Sequence, residues 1–138
     1  MSRTRYEGLQ NELIRFIPES CFFLSLLSVA EDYKADRGQI VKVDFIDAFR
    51  TARTKGWLGI DNMMYNDVAL LEYLTGHTVE KRVVKAEQEL TVANNEYTVA
   101  KYRKGSVTHF RRRGYDVYTG SQTVAKGKLE SVYVYKFI

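Results

Sequence analysis

The spacing of apolar residues changes once along this chain, at Gly76, and that change limits the folds open to it. Before Gly76 apolar side chains recur at helical spacing. After it, β-branched and aromatic residues alternate with polar ones between short turn sequences. Helices followed by an antiparallel sheet make an α+β class. No repeat, low-complexity linker or break in composition divides the sequence, so a single domain is expected over 1–138, with a mainly helical half (1–76) and a mainly β half (77–138).

In "RYEGLQNELIRF", Tyr6, Leu9, Leu13 and Phe16 share one helical face, and Pro18 stops that helix. Glu19 or Ser20 caps the next, which runs through "CFFLSLLSVAEDY". This helix is apolar on nearly every side and is expected at the centre of the core. A third helix fits "VDFIDAFRTARTKG", with Asp44 as cap, Phe45, Ile46 and Phe49 on the buried face and Gly56 as the stop. "WLGIDNMMYNDVALLEYLTG" reads as a loop and a fourth helix capped by Asn66 and ended by Gly76. Strands are expected in "HTVEKRVVKA", "NEYTVAKYR", "SVTHFRRR", "YDVYT" and "LESVYVYKFI".

The chain has one cysteine, which excludes an internal disulfide and suits a reducing cytoplasm. The N-terminus carries charge throughout and lacks a signal-peptide core. The longest apolar stretch, "CFFLSLLSVA", is ten residues, too short for a membrane span. No membrane partner is expected. The sequence lacks a phosphate loop, a dinucleotide fingerprint, paired cysteines, clustered histidines and a calcium-loop pattern, so no cofactor or metal is expected. Trp57, between two glycines in "GWLG", reads as a packing anchor for its loop.

The candidate site residues fall in two groups. Cys21 sits in the first turn of the expected central helix, where the helix dipole lowers a thiol's pKa; the plainer reading is a small buried hydrophobe. His109 shares a strand face with Val107 and Arg111, and is either a general base aimed at a helix end or a surface histidine on a basic edge. Asp116, just past a turn at "RRG", either orients that imidazole or caps the "TGS" turn. His77 reads as a helix-end turn residue. The second group is basic: Lys101, Arg103, Arg111 and Arg113 are expected to form one stripe. Interleaved with it are Tyr97, Tyr102, Tyr115 and Tyr118, Tyr118 being the candidate ligand contact. The stripe fits nucleic acid, an acidic protein surface or a solvated edge that discourages aggregation. The net charge of +4 at pH 7 is mild and selects none of these.

The order of Cys21 on a core helix, then "THFRRRGYDVYTGS", resembles the papain-like cysteine peptidase superfamily, especially its compact bacterial branch of bacteriocin-leader peptidases. "CFFLSLLSVAEDY" and "KGWLGID" also resemble segments of small phage and prophage proteins. The resemblance implies a papain-like fold with Cys21 as nucleophile, His109 as base and Asp116 as orienter in the hydrolysis of an amide or related acyl bond. Arg15 stands where that family places a Gln or Asn oxyanion donor, and Val117 follows Asp116 where a proline is frequent. The alternative is a catalytically inactive protein of the same architecture. It would bind a peptide or a host protein, in the manner of a defence inhibitor, or nucleic acid, through its basic aromatic sheet. Substrate and oligomeric state are not legible.

Overall fold

The computed structural model describes residues 20–39, 43–112 and 127–138. Among them are three helices and one antiparallel sheet of four strands, an α+β arrangement. The helix expected before Pro18 and the strand expected at "YDVYT" lie outside the described residues.

Helix α1 (Cys21–Asp36) carries the sequence's most apolar segment, and the fold is built around it. Phe23, Leu24, Leu26, Leu27, Val29 and Ala30 are fully buried, as are Ser25 and Ser28. A serine buried in an apolar helix needs a local acceptor, and Ser25 Oγ finds one in the Cys21 carbonyl at 2.8 Å. The helix ends as the chain turns through Gly38, at φ 75°.

Helix α2 (Phe45–Thr54) starts where expected, with the Asp44 carboxylate accepting from the backbone N–H groups of Ile46 and Asp47. Its inner face is Ala48 and Ala52, with Phe45 and Phe49 packed at the edge of the core. Ile46, expected on the buried face, is instead 58% exposed. The two alanines allow close approach to the core, and one helical step past Phe45 already points outward. Helix α3 (Asp67–Thr75) is capped by Asn66, whose side chain accepts from Ala69 N. It ends at Gly76 in the left-handed conformation, with the Gly76 N–H donating to the Glu72 carbonyl at 2.8 Å.

Strands β1 (Val79–Lys85), β2 (Glu96–Lys104), β3 (Val107–Arg112) and β4 (Lys128–Phe137) pair in the order β1-β4-β2-β3, every neighbour antiparallel. The period of two along a strand gives the sheet two unlike faces. One face presents Val79, Tyr97, Val99, Phe110, Tyr135 and Phe137 to α1 and forms the main core. The other gathers Val84, Val132 and Val134 with Leu90 and Leu129 in a smaller cluster. A β-bulge interrupts the β2–β4 pairing: Lys101 lies opposite Ser131 but Tyr102 opposite Leu129, so Glu130 is the extra residue.

Polar ties hold helices to sheet. Arg112 Nη1 donates to Ser28 Oγ and Asp32 Oδ2, each at 2.8 Å, and Arg112 Nε donates to the Thr98 carbonyl; all three side chains are buried. Tyr135 Oη donates to Asp67 Oδ2 at 2.6 Å, and Lys81 Nζ lies 2.7 Å from the same oxygen, joining α3 to the sheet. Tyr97 Oη donates to Asp36 at the end of α1. No helix among the described residues is long and apolar enough to cross a membrane.

Two predictions come from these ties. Removing one partner of a buried ion pair strands the other charge, so Asp32→Ala is expected to lower stability by about 3 kcal/mol in urea denaturation. The second concerns alkali. Burial, followed by the neighbouring carboxylates, pushes the phenols of Tyr97 and Tyr135 above their usual value. A raised phenol contributes stability that is complete below the unfolded-state value near 10 and is lost as pH rises through the window above it. The urea midpoint should therefore fall between pH 9.5 and 11.5, on the order of the window set by that unfolded value, and fall less in Tyr97→Phe and Tyr135→Phe.

Candidate functional site

At the start of α1, Cys21 and Phe22 form one wall of a cavity of about 330 Å³. The sheet supplies Phe110 and Thr108 from β3, Tyr133 from β4 and Lys101 from β2; the loop before α3 supplies Met63 and Met64. Phe22 stacks on Phe110 with ring centroids 4.1 Å apart and planes within 8°, and both rings tilt against Tyr133. This aromatic cluster fixes the inner end of the cavity. Cys21 is buried, with its thiol outside any disulfide.

The outer wall belongs to the loop 55–66, which is braced along its length. Trp57 N and Leu58 N donate to the Ala52 carbonyl, Tyr65 N and Asn66 N to the Trp57 carbonyl, and Gly59 N to the Met63 carbonyl. Leu58 and Met64 form a β-bridge, and Leu58 is buried. From α2, Arg53 Nη2 reaches the Asn62 side-chain oxygen and the Ile60 carbonyl. Asn62 adopts a left-handed backbone, φ 65°, which asparagine tolerates better than most residues. Gly59 lets the Asp61 carboxylate and the Tyr65 ring pack close: a Cβ there would sit 2.5 Å from Asp61 Oδ1 and 2.6 Å from the ring, so both side chains would have to move aside. Trp57 packs half-buried against the core beside Tyr73, the anchoring role expected of it. Tyr65 Oη donates to Asp61 Oδ2, and the Asp61 charge raises the phenol's pKa.

This rigid loop displays apolar side chains to solvent. Ile60 is 92% exposed, Tyr65 67% and Met63 44%. The sequence reading passed over all three. The available signal was "GIDNMMY", four large apolar residues within a segment whose Gly, Asp and Asn mark it as a turn rather than as core.

The sequence-derived candidates divide between the two faces of the sheet. Phe110 and Arg112 point to α1, so alternation sends His109 and Arg111, with Tyr102 paired opposite His109, to the other face. Cys21 lines the cavity on the helical face. The cavity lining that includes Cys21 takes Thr108 and Phe110 from β3 but not His109, whose strand position alternates to the other face. Asp116, Arg113 and Tyr118 lie outside the described residues. His77 is exposed at the turn after α3, its ring edge against Tyr33.

The expected basic stripe also separates. Lys101 and Arg103 stand on the helical face at the cavity end of the sheet, where both meet Glu130: Lys101 Nζ at 2.9 Å and Arg103 Nε in a short contact. The Arg103 hydrogen bond, and then that of Lys101, holds the Glu130 carboxyl below its usual range. Arg111, opposite Ala100, is fully buried on the far face and shares no solvent-facing stripe with them. Tyr97 and Tyr102 are buried and present no ring for base stacking. No group of three or more His, Cys, Asp or Glu side chains among the described residues is placed to hold a metal ion.

No family model, curated protein or solved structure matches this chain.

With His109 alternating away from the cavity that Cys21 lines, the pH profile of Cys21 alkylation by iodoacetamide is expected to be the same in wild type and His109→Gln. A thiolate reactive near neutral pH that is lost in the variant would contradict the opposite-face arrangement.

Proposed function

We propose that this chain is a non-catalytic protein-binding module that engages its partner through the loop 57–66 and the adjoining cavity. The observation that carries this reading is the exposure of Ile60, Met63 and Tyr65 on a loop braced by backbone and side-chain hydrogen bonds. Large apolar side chains held in water on a rigid support are the usual preparation for a protein interface. Their desolvation favours association, and little loop entropy remains to be lost. Isoleucine and tyrosine anchors beside an apolar cavity also match the make-up of interface hot spots.

A protein fits better than nucleic acid as the partner. Nucleic-acid recognition was expected to use a continuous basic stripe with stacking tyrosines, and Arg111, Tyr97 and Tyr102 are all buried. The resemblance of "CFFLSLLSVAEDY" and "KGWLGID" to phage and prophage segments makes a host protein in a reducing cytoplasm the fitting partner. A cysteine-peptidase-like reading keeps one support, the place of Cys21 in the first turn of α1 at the cavity wall. Its base, His109, belongs by alternation to the strand face opposite the one that lines the cavity.

The test is photo-crosslinking in the cells that naturally carry the protein, with benzoylphenylalanine in place of Tyr65 or, as a control, of exposed Glu87. A discrete, nuclease-resistant adduct is expected from position 65 alone. Ile60→Asp, at an exposed position, should leave thermal stability nearly unchanged and weaken the adduct by about tenfold or more, as loss of a hot-spot side chain does. No adduct, or one that nuclease destroys, would remove this reading.

A further inference from the structure

We propose that the cavity beside Cys21 receives a large apolar side chain of the partner polypeptide and that carboxylates flanking this side chain meet the basic rim. The inference rests on the protein-binding reading and specifies which partner segment the site selects. Two independent features of the site support it.

The first is shape and lining. Apart from Lys101 and Thr108, the walls are the rings of Phe22, Phe110 and Tyr133, the Cys21 side chain and two methionines. A volume of about 330 Å³ is at the lower end of ligand-sized pockets and suits one aromatic or long aliphatic side chain. Met63 and Met64 adapt the opening, since a thioether chain repacks around different shapes at little cost. Met63 and Met64 of the lining belong to the loop that also displays Ile60 and Tyr65 to solvent.

The second is charge. Lys101 lines the cavity, Arg103 stands two residues further along the same face, and exposed Lys128 is paired opposite Arg103. Among the described residues Glu130 faces these three cations and is bound by Lys101 and Arg103. Even with Asp61 of the loop counted, the cations outnumber the carboxylates among the described residues here, and the rim keeps a positive potential beside an apolar opening. A partner segment with an apolar residue between Asp or Glu side chains satisfies both features. A lysine- or arginine-flanked segment would meet like charge, which costs more than an exposed pair gains.

The test is selection of a random dodecapeptide display library on the intact chain, followed by measurement with synthetic forms of the enriched peptides. The expected sequences join a Phe, Trp, Leu or Met to at least two acidic residues. These peptides should slow alkylation of Cys21, the chain's single cysteine and itself part of the wall. Their affinity should fall about tenfold in the double variant Lys101→Glu, Arg103→Glu, and less steeply as salt is raised in the variant than in wild type. Should that variant fold poorly, Lys128→Glu, at an exposed position, should also weaken binding.

Absence of enrichment, enrichment without acidic residues, equal binding by the charge-reversed chains, or peptides that leave Cys21 alkylation unchanged would each overturn the proposal. So would competition by a single-stranded oligonucleotide of mixed sequence, or protection of Cys21 that rises with protein concentration in the absence of peptide, which would assign the cavity to a second copy of the chain. If position 65 still captures a protein while the selection shows no acidic preference, the partner rule fails and the binding reading stands. If both fail, the binding reading falls with it.

Discussion

The guanidinium of Arg112, buried against Asp32 and Ser28 of α1, fixes which side of β3 is the inside. A strand has only two faces. Once Arg112 must reach the helix, Phe110 and Thr108 follow it inward and His109 and Arg111 turn away. The stacking of Phe22 on Phe110 and the share of β3 in the cavity lining both descend from that choice. A slip of one residue would reverse every one of them while leaving the strand itself intact. A buried charge pair adds little net stability over apolar packing, but a misplaced buried charge is very costly.

Helix limits were legible in the sequence wherever the cause was local. Asp44 and Asn66 cap the helices they precede because a short acceptor side chain reaches N–H groups two or three residues ahead. Gly76 ends α3 because only a residue without a Cβ enters the left-handed region freely. The all-round apolar character of α1 likewise announced its place in the core. Strand existence was legible from alternation, and so was the grouping of His109 with Arg111. What alternation could not supply was that both faces of β3 are buried. Charge usually marks the wet side, and that rule misled at Arg111 and Arg112, which are both fully enclosed. The strand order, which inserts the last strand between the first two, depends on contacts far apart in sequence and leaves no local trace.

The candidate site was only half legible for the same reason. Cys21 was singled out for its place in a first turn, and it does line the cavity. Its expected partner was chosen by order along the chain, and order does not tell the two sides of a sheet apart. The loop that completes the site carries no chemical motif. Its meaning lies in a mismatch between a turn-forming backbone and apolar side chains, and such a mismatch becomes a statement about binding only when Ile60 and Tyr65 are seen to stay outside the core.

The irregular step in β4 carries a further consequence. Because Glu130 is one residue more than the pairing needs, Leu129 falls in with the valines of the far face while the carboxylate swings to Lys101 and Arg103. In a strand of regular length, greasy and acidic neighbours would exchange sides, leaving a charge among valines and a leucine at the rim. The number of residues in this short stretch is therefore itself part of the chain's information. Changes of length here would unsettle the molecule more than most changes of letter.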